Sequence, residues 1–334
     1  YQLATKLFQE NFGKKIGSWC KKHHIAWTGH LLREENLSSQ ICSIGDAMPF
    51  YLWMQLPGMD LLTERWLALN TAKQLSSVGH QFEKKRLLTE SYGCTGWDFP
   101  LEGHRVLGDW QYALGVNFRC QHLYWYTMTG AAKRDYPASI GEQSPWYKAY
   151  PTVEDCFERL GHLLADGGVV APLLMVHPIE SMWGRAGRYD NQMSFAPMLD
   201  KAFGDLTAEL LGEHLDFEFG NETLMAEHGR VEDGFFYVGK AAYREVLIPA
   251  VETLRGSTLA LLETFAQAGG KVSYLGSIPR YCSGRLDTEG RNIRAYEKFA
   301  PWNLDAAAKH LRPISVRCES GECKSILARV SRHA

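Results

Sequence analysis

Two acidic segments pose the chemical question. The first, IAWTGHLLREENL (25–37), carries His30, Glu34 and Glu35. In the second, LLTESYGCTGWDFP (87–100), Glu90 closes an apolar run and leads into a Ser/Gly/Cys/Trp-rich loop. Each carboxylate alone reads most simply as a polar strand end or a charged loop, since charged side chains are mostly exposed and loops are polar anyway. Together they read differently. Two carboxyl groups at the ends of two barrel strands can cleave a glycosidic bond, one protonating the leaving oxygen while the other attacks or activates water. Taken as a strand, 25–37 turns His30, Leu32 and Glu34 to one face and Leu31, Arg33 and Glu35 to the other.

Other side chains could hold a substrate beside that pair. Trp97, Trp125 and Trp146, with Tyr124 and Tyr126, offer flat faces on which sugars stack, although any one of them alone is more often core. His122 could contact a hydroxyl, and Asp60 follows the Pro57-Gly58 break in WMQLPGMDLL (53–62). A rival chemistry uses Cys94 as a nucleophile with His30, His80 or His122 as its base. The string Gly93-Cys94-Thr95-Gly96 does not have the spacing of a nucleophile elbow, and a buried inert thiol is the commoner case.

The elements that must position these residues alternate. The periodicity of Leu3, Leu7, Phe8, Phe12, Ile16, Trp19 and Cys20 predicts a helix over 3–23. A helix follows over 71–78, then the run to Glu90, then a helix over 101–114 closed by Gly115, then the apolar-aromatic run VNFRCQHLYWY (116–126). Strands alternating with helices, each strand ending in polar residues, are parallel βα units whose functional groups gather at the strands' carboxyl ends. A second unit opens with a helix over 156–164 and the strong apolar run GGVVAPLLMVHP (167–178). It continues through a helix over 206–215, a strand or edge over 241–247, a helix over 257–268 stopped by Gly269-Gly270, and KVSYLG (271–276). The expected fold class is α/β: the C-terminal half of a (β/α)8 barrel over 1–157, a flavodoxin-like doubly wound domain over 158–280, and a linker with the start of a further β domain over 281–334. Half a barrel leaves open sheet edges, so the chain reads as a piece of a larger protein.

Composition excludes several classes. A net charge of -2 over 334 residues gives no footprint for nucleic acid or an anionic membrane surface, and no run is apolar enough to span a bilayer. There is no GxGxxG and no P-loop, so nucleotide binding has no support. The eight cysteines contain no CxxC; they read as reduced, buried thiols, which favours the cytoplasm, and Cys318 and Cys323 flank what looks like a hairpin turn. No metal-ligand spacing is legible. Self-association into a homo-oligomer stays open.

The order GHLLREENL, QLPGMDLL, LLTESYGCTGWDF and GDWQYALGVNFRCQHLYWYTMTGAAKRDYP, followed by SPWYKAY, resembles large bacterial glycosidases related to the α-L-rhamnosidases of glycoside hydrolase family 106. The resemblance covers most of residues 1–280. It implies a (β/α)8 barrel followed by a flavodoxin-like, amidotransferase-like domain, as in family 42, a carbohydrate substrate, inversion at the anomeric carbon, and calcium. Carried over, it makes Glu34 the acid and Glu90 the base, with Glu35 as an alternative acid. No cysteine lies in 170–280, so the amidotransferase-like unit has no thiol of its own. The non-enzymatic alternative is a carbohydrate-binding or scaffold barrel, which has no need of two strand-end carboxylates.

Overall fold

The computed structural model describes residues 1–63, 68–134, 136, 139–185, 195–312 and 329–332. The amino end is helical as expected: Gln2–Phe8 and Lys14–Lys22 flank a π-helical turn, Gln9–Gly13. Much of its apolar stripe is exposed, including Leu3, Leu7, Phe12 and Trp19. Four parallel strands follow in the spatial order of the chain: β1 (Thr28–Gly29), β2 (Leu56–Asp60), β3 (Leu88–Ser91) and β4 (Phe118–Gln121). Helices join them: Leu37–Ser43 and Met48–Tyr51 after β1, Leu69–Gln81 after β2, Leu101–Ala113 after β3 and Pro151–Ala165 after β4. Gly115 ends the third connection with φ 117°, a backbone that a side chain would strain.

The segment 25–37 is not the long strand its sequence suggests. Only Thr28–Gly29 pairs, because the backbone turns at Arg33 (φ 61°) and Asn36 then caps the next helix, its side chain accepting from the Ser39 N–H at 2.8 Å. The expected alternation therefore fails. Leu32 is 65% exposed whereas Glu34, nominally on the same face, is buried.

Downstream lie β5 (Gly168–Val169), β6 (Leu173–Val176), β7 (Phe217–Gly220), β8 (Gly229–Glu232), β9 (Phe235–Val238), β10 (Ala241–Tyr243), β11 (Glu245–Ile248), β12 (Thr253–Leu254), β13 (Lys271–Tyr274), β14 (Tyr281–Cys282), β15 (Arg285–Leu286), β16 (Ala300–Pro301) and β17 (Ser331–Arg332). Five of them form an all-parallel sheet in the order β16-β13-β11-β6-β7, which in chain order is 2-1-3-4-5. Two of its three inner strands, β6 and β11, are buried throughout, as a sheet covered on both faces requires. The run 167–178 is two strands rather than one: Pro172, with no N–H to donate, separates β6 from β5, and β5 pairs antiparallel with β17. The expected single strand over 241–247 likewise divides, β10 closing the antiparallel meander β10-β9-β8 and β11 entering the parallel sheet. Ala300–Pro301 pairs with β13, so this sheet draws on residues beyond 280. The Cys318–Cys323 turn and the run 314–318 lie outside the described residues.

One hydrophobic core runs through both sheets. The helix Leu69–Gln81 forms the seam and is buried on nearly every side. Its polar residues serve β7, the edge strand of the second sheet: Ser77 Oγ accepts from the Phe219 N–H at 2.8 Å, and Gln81 donates to the Phe219 carbonyl at 2.9 Å. An edge strand would otherwise leave these groups unpaired. Lys73 Nζ meets Asp216 at 2.7 Å with only 3% and 10% of the two side chains exposed. Lys73→Met should therefore leave a buried carboxylate alone and cost about 3 kcal/mol, read as a fall in the urea midpoint, while adding Asp216→Asn should recover part of it. Equal midpoints for parent and single variant would contradict a structural role for this pair.

Candidate active site

Each strand of the first sheet delivers one polar side chain at its carboxyl end. His30 follows β1, Asp60 ends β2, Glu90 lies near the end of β3 in register with Asp60, and His122 follows β4. His30 Nε2 lies 2.7 Å from Glu90 Oε2, and His122 Nε2 lies 3.5 Å from Glu90 Oε1. His30 Nδ1 stands 3.2 Å from the Leu31 carbonyl and 4.0 Å from both Asp60 Oδ2 and Glu34 Oε1. A carbonyl only accepts, so Nδ1 carries a proton. Gly93 makes room for this arrangement, since a Cβ there would lie 3.0 Å from the His122 ring.

The two glutamates occupy opposite environments. Glu90 is 24% exposed, and Asp60 beside it 36%. Glu34 is 2% exposed, with one oxygen accepting from the Tyr51 hydroxyl and the other from the Asp60 N–H at 2.9 Å. Its carbonyl accepts from Gln74 at 3.0 Å and Thr71 at 3.3 Å, both on the seam helix. Burial pushes the Glu34 carboxyl up to about 8, against the opposing hydrogen bonds from Tyr51 and Asp60. Burial also raises Asp60, with His30 pulling it back. For His30, burial disfavours the charge, but the Leu31 carbonyl and the carboxylates Glu34, Asp60 and Glu90 together raise its pKa. Below about pH 8 Glu34 holds its proton, so the attraction on His30 falls to Glu90 and Asp60.

Glu35 is exposed and lines, with Asp60, Arg33 and Asn36, an open cavity of about 510 Å³ that Glu34 does not reach. The aromatic residues are only partly where a sugar platform needs them. Tyr124 and Tyr126 are exposed beyond β4, but Trp97 packs on Trp125 with centroids 5.0 Å apart and donates to the Lys133 carbonyl, and Trp146 donates to the Ser139 carbonyl. The ring against His122 is Tyr136, at 5.6 Å, which its sequence context does not mark out; nor does it mark Tyr51, which reads as core. Cys94 lies in the loop after β3 with φ 62°. Of its candidate bases, His30 Nε2 is engaged by Glu90, and His80 Nδ1 by Glu218 at 2.5 Å.

His30, Asp60 and Glu90 bring ligand atoms within 4.8 Å of one another, so these are the described residues able to converge on a cation. Calcium takes six to eight oxygens, roughly, in its protein sites. One imidazole nitrogen and two carboxylates do not by themselves make such a set, so among the described residues the calcium implied by the resemblance finds no full ligand shell.

A carboxyl raised by folding binds its proton more tightly in the native state, so its stabilising contribution is present at low pH and is lost as pH rises from the unfolded value through about 8. Glu34→Gln should flatten that fall. Melting temperatures at pH 5 and pH 9 should converge for the variant relative to the parent, and parallel profiles would refute a buried, protonated Glu34.

Among the described residues no helix is long and apolar enough to cross a membrane. No family model matches the chain, and no curated protein does. Solved structures do. A rhamnosidase from Novosphingobium sp. PP1Y superposes with a TM-score of 0.67 at 16% identity, over 92% of this chain and 30% of that one. A cold-adapted β-galactosidase from Rahnella sp. R3 gives 0.60 at 13% identity, over 84% and 41%. A β-galactosidase from Bacillus circulans sp. alkalophilus gives 0.55 at 14%, over 81% and 38%. The chain thus spans less than half the length of these proteins. The likeness is one of fold: a mixed α/β chain with parallel sheets, built like part of these glycoside hydrolases.

Proposed function

We infer that this chain is the C-terminal half of a (β/α)8 barrel joined to a flavodoxin-like domain, and that it belongs to a glycoside hydrolase acting on a carbohydrate. The observation that carries the reading is the convergence of His30, Asp60, Glu90 and His122 from the carboxyl ends of four adjacent parallel strands, with His30 2.7 Å from Glu90. Barrel enzymes build their sites at that face. The 2-1-3-4-5 strand order supports the flavodoxin-like assignment. In this reading the domain division falls near 157, with the second unit extending past 280 to include β16.

Glu90 is the carboxyl group that activates water, oriented by His30 and His122. The acid is a choice between two groups. The resemblance points to Glu34, and its pKa of about 8 supplies the proton that role needs. Its burial favours Asp60 instead, because an acid must touch the leaving oxygen and Asp60 is the raised carboxyl on the open side. We favour Asp60, with Glu34 positioning it through the Asp60 N–H. Exposed Tyr124 and Tyr126 remain the candidate sugar faces.

Nitrophenyl and alkyl α-L-rhamnosides and β-D-galactosides test this, assayed on the polypeptide that carries the complete barrel. Glu90→Gln should lower kcat about a thousandfold on all substrates with folding intact. Asp60→Asn should lose alkyl glycosides while keeping nitrophenyl glycosides, whose leaving groups need no acid. The same split in Glu34→Gln, with Asp60→Asn uniformly affected, would return the acid role to Glu34. Proton NMR of the first-formed sugar should detect the inverted anomer; retention would make Glu90 a nucleophile rather than a base. If no glycoside turned over while sugars still bound, the carbohydrate-binding reading would replace the enzymatic one.

A further inference from the structure

A separate cavity lies at the amino ends of the second sheet's strands, lined by none of the candidate active-site residues. With a volume of about 410 Å³, the size of a small-molecule site, it opens between the segment preceding β6, the residue preceding β11, the end of the helix Leu304–Leu311, and β17. Arg244, His310, Arg312 and Arg332 line it, with Phe235 and Leu311 on its apolar wall. Among the described residues no acidic side chain lines it. Two of the four basic side chains are tied to acids outside the lining: His310 to Glu245, and Arg312 to Glu213 at 2.9 Å. Arg312 Nε is nevertheless buried without a partner. Arg244 and Arg332 have no side-chain hydrogen bond or ion pair among the described residues.

Guanidiniums gathered round one small cavity repel each other unless an anion joins them. The adjoining cavity of about 800 Å³ shows the contrast. It shares Gly168, Val169 and Ala171 and has Lys84, Lys85 and Lys240, but Glu83, Asp166 and Glu218 line it too, so the lysine charges are matched. Among the described residues the smaller cavity has basic side chains and no acidic one in its lining. Arginine forks match phosphate and sulfate oxygens two at a time, and the Phe235–Leu311 wall suits an organic body rather than a bare ion. We propose that this cavity binds a small phosphate or sulfate ester of about monosaccharide size, its oxyanion held by Arg244, Arg332 and Arg312.

Isothermal titration of the chain at fixed ionic strength tests this with four probes: glucose 6-phosphate, glucose 6-sulfate, inorganic phosphate and glucose. Either ester should bind about tenfold or more tightly than inorganic phosphate and than glucose, and the preferred ester identifies the oxyanion. Because neither Arg244 nor Arg332 has a side-chain hydrogen bond or ion pair among the described residues, the double variant Arg244→Gln/Arg332→Gln should keep the parent's melting temperature and circular dichroism. Its affinity for the ester should fall about tenfold or more. Equal binding of ester and inorganic phosphate, no binding of either ester, or unchanged affinity in the double variant would each overturn the proposal. The readout is binding, so it stands or falls independently of any hydrolase activity.

Discussion

The burial of the helix Leu69–Gln81 is the constraint on which the two halves of this molecule depend. A helix enclosed on nearly every side is normally apolar all round, yet this one carries Thr71, Lys73, Gln74, Ser76, Ser77 and Gln81 inside. Each buried polar group needs a partner, and the partners come from both directions. Thr71 and Gln74 hold the Glu34 carbonyl, while Lys73, Ser77 and Gln81 hold β7 and the residue before it. Position along one rigid element therefore couples the edge of the second sheet to the floor of the candidate site. A second tie runs the same way: Asp200, on the helix Phe195–Gly212, accepts from the Leu37 N–H at 2.9 Å at the start of a helix in the first unit.

That floor explains how two glutamates of identical chemistry can differ. Glu90 stands at the open end of β3 between two imidazoles and is 24% exposed. Glu34 is folded under the strands by the turn at Arg33 and is enclosed by Tyr51 and the Asp60 backbone. Burial raises the Glu34 carboxyl to about 8, so the fold keeps a protonated group directly beneath the open cluster of Asp60, Glu90 and the two imidazoles. His30 sits between Glu34 and Glu90, one ring nitrogen toward each.

The second unit places its own polar chemistry differently. At the carboxyl ends of its strands, Arg255 meets Glu180 while its N–H donates to Glu222 at 2.7 Å, and Asn221 donates to Asp46 of the first unit at 2.7 Å. Those groups satisfy one another and knit the units together. At the amino ends, by contrast, arginines are left facing a cavity.

Much of the architecture was legible from one chain. Strand–helix alternation, the Gly115 stop and the buried run around Leu173–Val176 depend on local periodicity and turn chemistry, which a sequence states directly. Asp233-Gly234, both with positive φ, is an equally local hairpin signal for β8–β9 that the strand–helix reading passed over. Glu90 at a strand end was legible for the same reason. The position of Glu34 was not. Its segment has the composition of a strand, but a cap at Asn36 and a carboxylate from Asp200, distant in sequence, make it a turn. Whether a glutamate faces solvent or a buried tyrosine is set by packing between residues far apart in the chain. The gathering of Arg244, Arg312 and Arg332 has the same cause: sequence lists their charges, and only the tertiary fold brings those charges to one cavity.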